Sequence, residues 1–236
     1  MGNFHGQRIC IIGATAGIGH AIAARAAAAG AEVILTGRNA IRAEDTARGL
    51  GGKASGHALE ITDAAAIAAF FSALGPVDHL VTTAATVRPG PFRGGDPAAA
   101  KMTFEGKFWS QYLCARHADV GRSILLFSGA FSRRPRPGVS SIAAVNGAVE
   151  ALGRALAVEL APVRVNVMSP GLVRGTAAYS GMPDAARDAM FADAAARLPA
   201  RLVGGPDSVA VVALSLLESD YATGTVIDVD GGGLLV

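Results

Sequence analysis

The side chains with chemistry in them are few, and they stand where apolar runs end. In "CIIGATAGIGHAIA", Gly13, Gly17 and Gly19 mark the point at which an apolar run gives way to a helical pattern. Glycines at such a boundary permit a tight turn, let backbone approach a phosphate and let the helix pack closely on the strand. The first N–H groups of that helix then face the pyrophosphate of a dinucleotide. The spacing is G-x3-G-x-G, not the commoner G-x-G-x-x-G, and the strand–turn–helix context is what makes it a cofactor site rather than an ordinary turn. At the end of the second run, "LTGRN" offers Arg38 and no acid before Glu44. An acid there would bond a ribose 2′-hydroxyl, whereas a guanidinium fork suits a 2′-phosphate, so NADP(H) is favoured over NAD(H). The alternative is a surface arginine that begins a helix.

Ser128, at the carboxyl end of "SILLFSG", is placed either to hold a substrate oxygen or to be a plain turn serine. Lys107, in "EGKFWSQ", either reaches the pocket as a charged donor or is a solvated helix lysine. Ser140 and Ser141 are expected to cap the helix they precede. Tyr179 lies in an Ala- and Gly-rich stretch suited to a substrate lid, and His79 and His117 have no partner visible in the sequence. Cys10 and Cys114 make neither a disulfide framework nor a metal spacing; they fit small buried hydrophobes in a reducing cytoplasm.

These groups need a scaffold, and strand-like runs alternate with helical ones along the chain. Strands are predicted at Arg8–Ala14, Glu32–Gly37, Ser55–Ile61, Asp78–Ala85, Ser123–Gly129, Arg164–Pro170 and Thr223–Gly232. Helices are predicted at Gly17–Gly30, Asn39–Leu50, Thr62–Gly75 (capped by Thr62 or Asp63) and about Ser140–Leu160. The alternation implies a parallel sheet covered on both faces, one doubly wound α/β domain over residues 1–236. With 236 residues, 51% hydrophobic and 17% charged, the composition is globular. No apolar run reaches the roughly 18 residues of a membrane span. The start shows no export signal, and Gly6 replaces the Ser or Thr that a myristoylated Met-Gly opening wants. A net charge of +2 gives no ground for a nucleic-acid partner. "SRRPRPG", with Arg133, Arg134 and Arg136, is a solvated loop or the rim of a site.

Taken together, the motifs resemble those of the short-chain dehydrogenase/reductase family over essentially the whole chain. "GATAGIG" resembles its TGxxxGIG turn, "SPGLV" (Ser169–Val173) its nicotinamide-covering segment, and "ATGTVIDVDGG" its terminal strand. The resemblance implies that Gly13, Thr15, Ala16 and Ile18 line the cofactor, with Arg38 at its 2′-phosphate. It further implies an adenine contact at Glu60 and Ile61, a ribose contact at Ala84, and a nicotinamide flanked by Pro170, Gly171 and Val173. Thr176 stands one residue later than the family's carboxamide-binding threonine, whose place Gly175 takes.

The family reduces carbonyls or oxidises alcohols with an Asn, Ser, Tyr and Lys set, the Lys lowering the Tyr pKa and bonding the nicotinamide ribose. In this chain, Ile142 stands at the Tyr position and Asn146 at the Lys position. Gly129 stands at the Ser position, beside Ser128, and Lys107 (or, less well, Thr103) stands at the Asn position. Ile142 cannot donate a proton; it continues an apolar stripe through Val145, Val149, Leu152 and Leu156. Asn146 keeps the ability to bond the ribose. The leading expectation is therefore an NADP(H)-dependent oxidoreductase with a rearranged site built on Ser128, Asn146 and Lys107. The alternative is an inactive NADP(H)-binding sensor or partner subunit. The resemblance also implies a homodimer or homotetramer and a small-molecule substrate whose pocket a lid around residues 174–202 would build. The cysteines, the small net charge and the lack of a span or signal lead to the expectation of a cytoplasmic protein with no nucleic-acid or membrane partner.

Overall fold

The computed structural model describes residues 3–176 and 179–236. Met1 and Gly2, on which the acylation reading rests, and residues 177 and 178 of the lid lie outside the described residues. The chain runs β1 (Arg8–Ile12), α1 (Gly17–Ala28), β2 (Glu32–Gly37), α2 (Ala40–Leu50), β3 (Ser55–Ala58), α3 (Ala64–Leu74) and β4 (Val77–Thr82). It continues through α4 (Pro97–Phe104), a π-turn (Glu105–Trp109), α5 (Ser110–His117), β5 (Val120–Phe127) and a short 3-10 turn (Ala130–Ser132). Then come α6 (Ser140–Glu159), β6 (Arg164–Pro170), α7 (Asp184–Arg197), α8 (Pro206–Glu218) and β7 (Val226–Val229).

The strands form one parallel sheet in the order β3-β2-β1-β4-β5-β6-β7. Alternation along each strand splits the core between its two faces. Ile9 and Ile11 of β1, with Val33 and Leu35 of β2, pack against Ile22, Ala23 and Ala26 of α1 and against Val209, Ala210 and Ala213 of α8. The intervening Cys10, Ile12 and Ile34 face Ile67 and Phe71 of α3, Cys114 of α5 and Val149 of α6. The sheet order reverses between β1 and β4, and a crevice at the carboxyl ends of such strands is where open α/β sheets bind ligands.

Several boundaries differ from the sequence expectation, each for a local reason. β3 stops at Ala58, β4 at Thr82 and β5 at Phe127, so the segments beyond them leave the ladder at the carboxyl edge and are free to line a site. Asp63, not Thr62, caps α3: its Oδ1 accepts from the backbone of Ala65 and Ala66 at 2.9 and 3.0 Å. Asn39 likewise caps α2, accepting from Arg42 at 2.8 Å. Ser140 and Ser141 are not caps. They lie inside the first turn of α6, Val139 holds the cap position, and no side chain bonds there. α6 is long and apolar enough to cross a membrane on length and composition alone. It buries Ile142, Val145, Asn146, Val149, Glu150 and Gly153, and its Val149 packs in the core with Leu126 and Val167 of β5 and β6.

Candidate active site

The glycine turn is built as the sequence requires. Gly13 has a φ of +89°, and a Cβ there would lie 2.6 Å from that of Ala84, so only glycine lets the turn close on the loop after β4. Gly19 packs against the Gly13 carbonyl and Thr83 in the same way. Gly17, with φ +58°, faces open space instead. α1 begins at Gly17 behind an extended Ala16 with no side-chain cap, so its first N–H groups are unclaimed by any side chain. An open cradle with free donors at the switch point fits a dinucleotide pyrophosphate.

Around the cradle, the side chain of Thr15 packs over Gly37 and Ile18 packs against the core. Arg38 follows β2, is exposed, and acts electrostatically on Glu60. Arg42, which no sequence motif singled out, reaches back from α2 to the Thr15 carbonyl at 3.4 Å. The carboxylate of Glu60 accepts from Thr62 Oγ1 at 2.7 Å and from its backbone at 3.0 Å, and these bonds hold it below the usual carboxylate range. Ile61 is buried, its side chain taken up by the core. Ala84 sits beside the turn, its N–H on the Ile12 carbonyl at 2.9 Å.

On the other side of the crevice, α4 and α5 are joined by the π-turn. Its i→i+5 bond, from the Ser110 N–H to the Glu105 carbonyl, inserts a residue into the helical ladder and changes the direction in which side chains point. Lys107 lies in the middle of it. This lysine is not the solvated helix residue that was the alternative: it is 8% exposed, and its Nζ donates to the Ser128 carbonyl at 2.8 Å. Burial pulls its pKa from the ordinary 10.5 down to about 8, with Glu150 opposing the shift. The turn is locked from behind by Gln111, whose amide donates to the carbonyls of Lys107 and Phe127 at 3.0 Å and whose oxygen accepts from the Phe127 N–H at 2.8 Å. Thr103 is spent on the Ala99 carbonyl and the Arg88 N–H, so the weaker of the two alignments has no free side chain.

Asn146 points at the same strand end from α6. Its Nδ2 donates to the Gly129 carbonyl at 3.0 Å, next along the chain from the carbonyl that holds Lys107. Its Oδ1 is buried with no partner, an orphaned acceptor that a ribose hydroxyl would satisfy. Ile142, one turn earlier, is 7% exposed and contributes only an apolar wall. Ser128 is buried, and its hydroxyl donates to Glu150 Oε1 at 3.1 Å. Ser132 donates to the same oxygen at 2.6 Å. Arg133 stands 3.6 Å from Glu150, holds Asp228 of β7 with both nitrogens, and donates to Ser169 Oγ at 2.9 Å. The basic loop is therefore the rim of the site. Glu150, Ser132 and Asp228 were not singled out from sequence, although Glu150 falls one turn after Asn146 on the same face.

The Pro170–Val173 segment leaves β6 with Val173 buried and Gly171 pressed against Asp230. Thr176 turns back on the Val173 carbonyl at 3.3 Å. It shares a cleft of about 520 Å³ with Arg174, Tyr179, Arg187 and Phe191, formed by the segment after β6 and α7. Burial pushes the Tyr179 hydroxyl above its ordinary pKa, and the ring stacks edge-on to Phe191, 5.6 Å away. His79 is a core residue, bonded to Ser123 and Gln7 at 2.7 Å and held neutral by burial with a pKa of about 4. His117 is exposed at the end of α5. Both cysteines are buried and free, their thiols pushed up by burial. Among the described residues no group of His, Cys, Asp and Glu side chains has the makings of a metal site.

Comparison with known proteins agrees with this architecture. A family model described as enoyl-(acyl carrier protein) reductase matches residues 13–233. The galactitol 2-dehydrogenase (L-tagatose-forming) of Cereibacter sphaeroides is 33% identical, over 96% of this chain and 94% of that protein. The short-chain dehydrogenase/reductase ATR9 of Stachybotrys chlorohalonatus is 30% identical over 100% of both. A crystal structure of a small-chain dehydrogenase in complex with NADPH superposes with a TM-score of 0.83 at 36% identity, covering 98% of this chain and 99% of that one.

Proposed function

The chain belongs to the short-chain dehydrogenase/reductase family, and on that premise we propose that it is an NADP(H)-dependent oxidoreductase of carbonyl or alcohol substrates, with Lys107 as its proton donor. The observation that carries this reading is the buried Lys107 ammonium, held at the carboxyl end of β5 beside Ser128 and Asn146. The Gly13–Gly19 cradle would take the pyrophosphate, Arg38 and Arg42 the 2′-phosphate, and the free Asn146 Oδ1 a nicotinamide-ribose hydroxyl. Ala84, Pro170, Gly171, Val173 and Thr176 would complete the walls around it.

When bound, the dinucleotide supplies a hydride to a carbonyl carbon, or accepts one from an alcohol. The protein's task is the proton. In reduction, Lys107 Nζ gives a proton to the oxygen on which negative charge builds, and is left as a neutral amine. In oxidation, the neutral amine takes the hydroxyl proton. A donor with a pKa of about 8 does either near neutral pH. Ile142 keeps water from that side of the site, which strengthens the ammonium's field on the reacting oxygen. The exposed Val158 of α6 and Trp109 of the π-turn support a homodimer or homotetramer built across these helices, and two free neutral thiols fit a reducing cytoplasm.

The test is to titrate the protein with NADPH by fluorescence, then follow dihydronicotinamide absorbance with a broad panel of ketones and aldehydes. Binding with consumption is expected. Tight binding with no turnover across the panel makes the chain a non-catalytic NADP(H) sensor or partner subunit, and absence of binding defeats both readings.

A further inference from the structure

Glu150 is a charged group of the site that lies off the proton's path, and it is the point where the site's elements meet. It is 8% exposed, and its Oε1 alone accepts from Ser128 and Ser132. It is the charge that faces Lys107 from α6, while Arg133 of the loop after β5 stands behind it and is anchored in turn to Asp228 of β7. A serine hydroxyl has one hydrogen. Ser128 gives that hydrogen to Glu150, so its oxygen is left with lone pairs and no donor. Lys107 has three hydrogens and gives one to the Ser128 carbonyl.

We propose that Glu150 is a positioning residue that sets the polarity of the site, turning Ser128 into an acceptor and holding Lys107 as the charged donor. This deepens the oxidoreductase reading and rests on it. The substrate class is set by the polarity. An oxygen that donates to Ser128 Oγ while accepting from Lys107 Nζ is a hydroxyl, so the site is built for the alcohol form of its substrate. A carbonyl oxygen has no hydrogen and meets only the lysine. The proton balance is closed: in reduction one Lys107 hydrogen becomes the hydroxyl hydrogen of the product, which turns to Ser128 Oγ once water has returned a proton to the amine. In oxidation that single hydrogen passes to the neutral Lys107 amine; Glu150 takes no proton.

The experiment uses the cofactor-free protein labelled with [13Cε]lysine. There are three lysines, Lys53, Lys101 and Lys107, and the Lys107 resonance is the one absent from Lys107→Met. Glu150→Gln keeps the shape and removes the charge. Its Lys107 midpoint is expected to fall by about one pH unit, because the opposing charge is gone. The alkaline limb of the pH–rate profile for NADPH turnover is expected to move down with it. A Lys107 midpoint unchanged in the folded variant overturns the proposal. Should Glu150→Gln fail to fold, [13Cδ]glutamate in the parent protein decides: the Glu150 resonance is expected to inflect at the Lys107 midpoint, and a flat Glu150 trace there overturns it. Neither titration needs turnover. A chain that never consumes NADPH therefore defeats the functional reading while the titrations still judge Glu150.

Discussion

At pH 7, Lys107→Met is expected to melt at a higher temperature than the parent protein while losing NADPH-dependent turnover by about 10²-fold or more. The gain in stability comes from removing a charge the fold does not solvate. Lys107 titrates near pH 8 in the folded chain against 10.5 ordinarily. At roughly 1.4 kcal/mol per unit, the ammonium lowers stability at pH 7 by about 3 kcal/mol. Methionine fills the same volume. Loss of the bond to the Ser128 carbonyl offsets about 1 kcal/mol, which leaves a net gain of about 2 kcal/mol, or roughly 4–8 °C for a domain of this size. Glu150 does not become an orphan in the variant, since Ser128, Ser132 and Arg133 remain.

The pH dependence has its origin in the same shift. Between about pH 8 and 10.5 the folded lysine has lost its proton and the unfolded one has not, so the parent gains stability as pH rises through that window. The variant lacks that gain, and the gap between the two melting curves should close toward pH 10.5. Calorimetry across the window reads it directly, and a variant less stable than the parent at pH 7 contradicts the burial argument. The loss of turnover reflects the usual worth of a positioned acid, about 10²–10⁴. A stabilised protein that has lost its activity is the signature of a group kept for function at the expense of the fold.

The second large effect concerns the cofactor. Arg38→Ala with Arg42→Ala is expected to weaken NADPH binding by about 10²-fold or more and to leave NADH binding nearly unchanged. Hydrogen bonds to charged groups are worth about 1.5–3 kcal/mol each, and the only difference between the two dinucleotides is the 2′-phosphate. Arg42 belongs in the pair because its guanidinium already lies against the Thr15 carbonyl, at the cradle's edge. Fluorescence titration with both dinucleotides is the measurement. Equal weakening of both would mean that the arginines hold the turn and not the phosphate.

How far the sequence carried these conclusions depends on the residue. The inner strands were legible because they are buried on both faces and read as continuous apolar runs that end in glycine, as in "RICIIGA" and "EVILTGRN". The glycine turn was legible because Gly13 and Gly19 leave no room for any other side chain. Lys107 was ambiguous because a helical period of 3.6 carries no sign of the π-turn in which it is buried. α7 left little pattern, since Phe191 is its one buried residue. Glu150 stands in the same column of α6 as Ile142 and Asn146, four residues on from each to the next, but an acid in the middle of a long helix suggests solvent until Ser128, Ser132 and Arg133 are seen around it.

The central claim is that Lys107 is a buried ammonium poised to exchange its proton near neutral pH. The [13Cε]lysine titration of the unmodified, cofactor-free protein tests it most directly. The expected result is one resonance, absent from Lys107→Met, with its midpoint at about 8. A Lys107 midpoint above pH 10 would contradict the account, because a lysine with an ordinary pKa there is neither desolvated nor poised.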